Sequence, residues 1–85
     1  MEEIKVGDRI IAKGEEYSEE FMAGKHGTVI GFSRLNNGPL IEFDEPIENG
    51  HDGNELNTLD GVIGKIGHCW YIGTHDYTIE SEATP

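Results

Sequence analysis

A chain of 85 residues has room for one domain and a modest core. Only 35% of its residues are hydrophobic and twelve are glycine, which suits short strands and tight turns rather than long helices, and no apolar run nears the roughly 20 residues that span a bilayer. Seventeen acidic residues against six basic ones give a net charge of −11, which repels nucleic-acid phosphates and anionic membrane faces and favours a basic protein partner. The same charge also serves plain solubility. The first residues, Met-Glu-Glu-Ile-Lys, lack the basic flank and apolar stretch of a signal peptide. A lone cysteine, Cys69, leaves no internal disulfide, so the expectation is a cytoplasmic protein.

In chain order, a first strand is expected over Asp8 to Lys13, after the turn-like Val6-Gly7. Gly14 to Gly24 holds four glutamates between Glu15 and Glu20, and reads as a loop or as one helical turn around Tyr17, Phe21 and Met22. His26 to Ser33 is rich in β-branched and aromatic residues and reads as the second strand. Asn36-Asn37-Gly38 then marks a hairpin turn, because Asn and Gly tolerate positive φ. Leu40 to Asp44 is the third strand, with Ile41 and Phe43 on one face and Glu42 and Asp44 on the other. A connection of over twenty residues follows, 45–67, long enough in so small a domain to suggest function or a bound ligand. His68 to Gly73 and Tyr77 to Glu80 complete the set, separated by Thr74-His75-Asp76, a one-turn helix that Thr74 would cap. Five short strands, one hairpin, one long loop and a helical turn before the last strand describe an all-β domain of the small-barrel kind. Residues 1–80 form it, with 81–85 as a flexible tail. Its expected core is Val6, Ile10, Ala12, Val29, Ile41, Phe43, Ile63, Tyr71 and Ile79.

Enzyme templates are missing throughout: no dinucleotide or phosphate-binding glycine loop, no nucleophile elbow, no HExxH. Cys69 beside a histidine is a conceivable thiol pair, but so short a chain offers little cleft, so the protein is read as a non-enzyme. A metal site is the more specific possibility. His51 and Asp52 in Asn-Gly-His-Asp-Gly, with His68 and Cys69 in Gly-His-Cys-Trp-Tyr, supply nitrogen, sulfur and oxygen donors of the kind zinc accepts. One structural zinc ion there would pin the long loop to the fourth strand. Neighbours in a strand point to opposite faces, so His68 and Cys69 both ligate only if the strand begins irregularly. The alternative is a small buried Cys69 with histidines as hydrogen-bonding anchors. His26 and His75 read as structural. Trp70 either joins the core or faces out as a contact anchor.

Val6-Gly7-Asp8-Arg9, Gly24-Lys25-His26-Gly27-Thr28-Val29 and Leu40-Ile41-Glu42-Phe43-Asp44 resemble the strand signatures of SH3-like and KOW-type barrels. Gly50-His51-Asp52-Gly53 and Gly67-His68-Cys69-Trp70-Tyr71 resemble a variant found in small bacteriophage and prophage proteins. Size, acidity and barrel together are similar to the anti-CRISPR class of host-defence inhibitors. What the resemblance implies is a five-stranded SH3-like barrel that blocks a basic nucleic-acid-handling protein in the host cytoplasm, a CRISPR effector first among them. KOW domains that bind RNA are basic and this chain is the reverse, so direct nucleic-acid binding is not implied. The carboxylates of Glu15, Glu16, Glu19 and Glu20, or of Glu42, Asp44, Glu45 and Glu48, would meet the partner's Arg and Lys side chains, with Phe21, Met22 or Trp70 as apolar anchor. The alternative is a structural or adaptor module that binds a protein or peptide in a barrel groove.

Overall fold

The structure, a computed structural model, describes residues 4–15, 20–54 and 56–80, with the backbone alone at Glu20. Its elements are β1 (Arg9–Ala12), a 3-10 turn (Glu20–Met22), β2 (His26–Phe32), β3 (Pro39–Phe43), β4 (Cys69–Tyr71) and β5 (Tyr77–Ile79). The protein is all-β: the strands make one antiparallel sheet in the order β4-β3-β2-β1-β5. Each strand expected from the β-branched and aromatic runs is present, four of them trimmed by one to three residues and β3 shifted by one to begin at Pro39. The first four follow one another as a meander, and β5 returns to the far side of β1, with Ile10 opposite Ile79. The described strands leave β4 and β5 as the two sheet edges, unpaired with each other.

One face of the sheet carries the core. Ile10, Ala12, Val29, Ile41 and Phe43 are buried there as expected, joined by Met22, Ile47 and Ile72 from the connections. Ile4, Phe21, Phe32, Trp70 and Tyr77 pack around them. Four expected core residues, Val6, Ile63, Tyr71 and Ile79, are not in it. Val6 is 57% exposed, because it stands in the turn at Gly7 (φ 99°), and Ile63 is 54% exposed on the long loop. Tyr71 and Ile79 are half-buried at the two edge strands.

The other face is covered by the long connection, which folds back over β2, β3 and β4 as a strap. Isolated bridges pair Ser33 with Thr58 and His51 with Cys69. Arg34 N–H donates to the Asn57 carbonyl (2.8 Å), Leu59 N–H to Phe32 (3.0 Å), and Lys65 N–H to the Glu42 carboxylate (2.8 Å). Beneath it, β2 bulges between Val29 and Gly31, so that Ile30 and Gly31 both turn to the strap. The strap touches the sheet through glycine: a Cβ at Gly64 would lie 2.5 Å from Cys69 Sγ and 2.6 Å from Ile30 Cδ1, and one at Gly53 would overlap Leu40. Leu40 and Cys69 are therefore fully buried although they point away from the main core.

In the hairpin turn the residues divide their tasks unexpectedly. Asn37 takes the positive φ (60°), whereas Gly38 is needed because a Cβ there would sit 2.6 Å from the Ile72 carbonyl oxygen. Between β4 and β5 the chain makes a hydrogen-bonded turn rather than the expected one-turn helix, closed by Asp76 N–H to the Gly73 carbonyl (3.1 Å). Asp76 is buried and its carboxylate accepts the Glu15 N–H (3.0 Å), fixing the start of the acidic segment.

Candidate functional site

The strap brings two of the four expected metal donors side by side and turns a third away. His51 and Cys69 exchange both backbone hydrogen bonds (3.0 and 2.9 Å). The His51 Nδ1 accepts the Gly53 N–H (2.7 Å), and its ring lies tilted against Trp70 at 5.2 Å. Burial holds its imidazole below the ordinary histidine range, with Asp52 opposing the shift, so it is neutral at pH 7. His68 is buried with Nδ1 2.9 Å from the Phe43 carbonyl, to which it donates. Asp52 caps its own turn by accepting the Asn54 N–H (2.9 Å). The Cys69 thiol points to the Lys65 carbonyl (3.5 Å). Among the described residues, no three His, Cys, Asp or Glu side chains gather where an ion would be held. His68 lies in the turn before β4, which begins at Cys69, and its ring is held by the Phe43 carbonyl.

Burial pushes the Cys69 thiol up to about 11, and the Glu42 and Asp52 carboxylates push the same way. A rise of two units cuts the thiolate fraction about a hundredfold at a given pH. Cys69 in the folded protein is therefore expected to react with an aromatic disulfide at pH 8 at least about a hundredfold more slowly than in urea-unfolded protein. Comparable rates in the two states would contradict the strap's closure over it.

The expected contact residues separate into three groups. Glu16 and Glu19 lie outside the described residues, as does the Glu20 side chain, while Glu15 is exposed. Glu42 is half-buried and holds Lys65, and Asp44 is bound through both oxygens to Arg9 (2.6 Å each), so neither faces a partner unencumbered. Glu45 and Glu48 are exposed. Met22 is a correction: it is fully buried in the core, where the 3-10 turn directs it, and it offers no surface anchor. Phe21 and Trp70 are half-buried and meet edge to face at 5.1 Å, with Trp70 opposite Ile41 on the core side of the sheet.

A charge network escaped the sequence reading. Arg9 on β1 reaches Thr28 Oγ1 (3.1 Å), both Asp44 oxygens and Glu80 Oε2 (3.2 Å), and the Glu80 carboxylate meets His26 Nδ1 at 2.7 Å. Opposite charges in neighbouring strands are a usable signal only when the register is known. Asp44 lies below the usual carboxylate range because of Arg9, and Glu80 because of His26 and then Arg9. A carboxylate depressed by folding stabilises the fold above its unfolded pKa and loses that contribution as pH falls through the lowered value. Thermal stability is thus expected to hold from pH 7 to about 5 and to decline below about 4. Arg9→Met should flatten the acid limb, and an unchanged limb would remove the network from the account. Beside it lies a half-open groove of about 370 Å³, lined by Ala23, Gly24, Lys25, His26, Asp44 and Glu45.

Comparison with known protein families, characterised proteins and solved structures finds no match to this chain.

Proposed function

We propose that the chain is an SH3-like barrel module that binds and inhibits a basic nucleic-acid-handling protein, with anti-CRISPR action on a Cas effector as its leading form. For the barrel, the support is the sheet order: a four-strand meander whose first strand also pairs with the last, with His51 bonded along the outer side of β4. For the inhibitor, the observation that carries the reading is charge. Seventeen acidic residues face six basic ones, and two of the six, Lys5 and Arg9, are already spent in ion pairs within the chain. Such a molecule is drawn to a surface whose Arg and Lys side chains hold phosphates, and on this reading it acts in the host cytoplasm by covering that surface. Binding rather than catalysis is consistent with a Cys69 thiol that is buried and kept protonated. The adaptor alternative needs an apolar groove for a peptide, and four of the six residues lining the groove beside β2, Lys25, His26, Asp44 and Glu45, are polar or charged.

Competition is the direct test. The protein should prevent a guide-loaded effector from binding target DNA, with an apparent affinity that falls steeply as salt rises. Single rim charges contribute on the order of 1 kcal/mol or less, so reversing Glu45 alone should change little. Reversing Glu15, Glu45 and Glu48 together should slow association by about tenfold or more. Undiminished DNA binding across a panel of such effectors removes the inhibitor reading and favours the adaptor.

A further inference from the structure

The most exposed apolar side chains are not scattered. Leu35 (90% exposed), Leu56 (72%), Leu59, Ile63 and Ile66 (81%) all lie on the strap or on the hairpin turn that it pairs with. Of the large exposed aliphatic residues described, only Val6 lies elsewhere. The Ser33–Thr58 bridge and the Arg34–Asn57 hydrogen bond set the turn and the strap side by side, and the Arg34 guanidinium reaches the Leu56 carbonyl (3.5 Å). Beyond them, Thr58 Oγ1 donates to the Val62 carbonyl (3.0 Å) and Gly64 N–H to the Asp52 carbonyl (2.8 Å). Backbone pinned this closely holds its outward side chains in place before any partner arrives. Leucines exposed singly are ordinary, whereas Leu35 on the turn and Leu56 and Leu59 on the strap segment paired with it stand on adjoining, fixed backbone, an arrangement of the kind that partners cover.

We infer that this strap crest, Leu35, Leu56 and Leu59, is the docking surface for a cationic protein surface that offers apolar sockets. The inference rests on the binding-module reading and replaces the buried Met22 and the core-packed Trp70 as the source of apolar grip. Charge selects the occupant. Two copies of a chain carrying −11 repel each other, and so do this chain and a nucleic acid or an anionic membrane. A basic surface is attracted from a distance by the acidic excess of the whole molecule, whereas the crest, with Arg34 on its turn and Lys65 further along the strap, supplies the short-range apolar contact that slows its release.

The probe is a synthetic amphipathic helix of about 18 residues with arginines on one face and leucine and tryptophan on the other. One control peptide has serine in place of the apolar face, and another has glutamine in place of arginine. The full chain should bind the first peptide and lose at least about tenfold in affinity for either control. Leu35→Ser, Leu56→Ser and Leu59→Ser combined should lose as much, whereas Val6→Ser, an equally outlying apolar residue, should lose less than about twofold. These residues are exposed, so the triple variant should keep its circular dichroism and melting temperature. Amide shift changes on titration should centre on Leu35 and on the strap from Leu56 to Leu59. Equal affinity of the triple variant and the parent overturns the proposal, as do shift changes centred on the Lys25–Glu45 groove. Self-association of the parent that the triple variant abolishes overturns the choice of occupant and assigns the crest to a second copy. The two readings fail separately: an effector inhibited equally by parent and triple variant removes the crest alone, and crest-dependent peptide binding without effector inhibition removes the inhibitor alone.

Discussion

Gly50→Ala should detach the strap from the sheet. Gly50 stands where the strap begins, and a Cβ there would overlap the carbonyl oxygen of Gly67 at the strap's other end, with the Gly67 carbonyl carbon 2.5 Å away. Both obstructing atoms are backbone, so no side chain can rotate aside. The same Gly67 carbonyl accepts the Ile47 N–H (3.0 Å), and Gly50 N–H donates to the Ile47 carbonyl (3.0 Å), so relieving the overlap breaks the neck of the loop. Overpacking of this kind costs about 1–3 kcal/mol and more where backbone must move. A domain of this size has on the order of 5–10 kcal/mol in total. The expected outcome is a local opening before global unfolding: faster amide exchange at His51 and Cys69, and a Cys69 thiol that now reacts in folded protein. Gly67→Ala is the comparison. Its φ is +85° but nothing lies within 4 Å of its Cβ position, so only the left-handed backbone penalty of about 1–2 kcal/mol applies. Gly50→Ala no more damaging than Gly67→Ala, with a silent thiol, would show that the two ends of the strap are not locked together.

Trp70→Ala should cost about 3–4 kcal/mol, the largest loss expected from a single truncation at a residue first read as a possible contact anchor. Its ring joins three parts of the molecule: the sheet through Ile41, the 3-10 turn through Phe21, and the strap through His51. Truncation leaves a void beneath all three, and Phe21 loses its edge-to-face partner. Trp70→Phe should recover more than half of the loss, because a smaller ring still fills most of the space. Denaturant unfolding of the two variants measures this. A Trp70→Ala protein as stable as the parent would mean that the side chain serves a partner and not the fold.

The five strands were legible because β-branched runs and turn residues are local signals, and local chemistry decides them. The faces were less so. Alternation reveals a core only where one face of a strand is wet, and β3 has both faces covered, with Pro39, Leu40, Ile41 and Phe43 all buried. The strap has no periodicity, so Ile63 was read inward on hydrophobicity alone, while Met22, Ile47 and Ile72 entered the core from turns where no pattern marks them. The His51, Asp52, His68 and Cys69 set shows the same limit from the other side. The long loop does bring His51 onto Cys69, as their shared character suggested, yet the direction of each ring depends on hydrogen bonds to Gly53 and Phe43 that no spacing encodes.

The place of β5 beside β1 has a consequence during synthesis. Ile10 pairs with Ile79, so at about 5–20 residues per second the ribosome delivers the partner roughly 3–14 s after the first strand has emerged. For that interval the outer backbone groups of Arg9–Ala12 have no strand to receive them, although β2 already occupies the other side. A nascent chain with an open strand invites pairing with its neighbours on the same message. The acidic excess then works before any partner is met: copies that repel one another survive the wait, and β5 closes the vacancy from within the same chain.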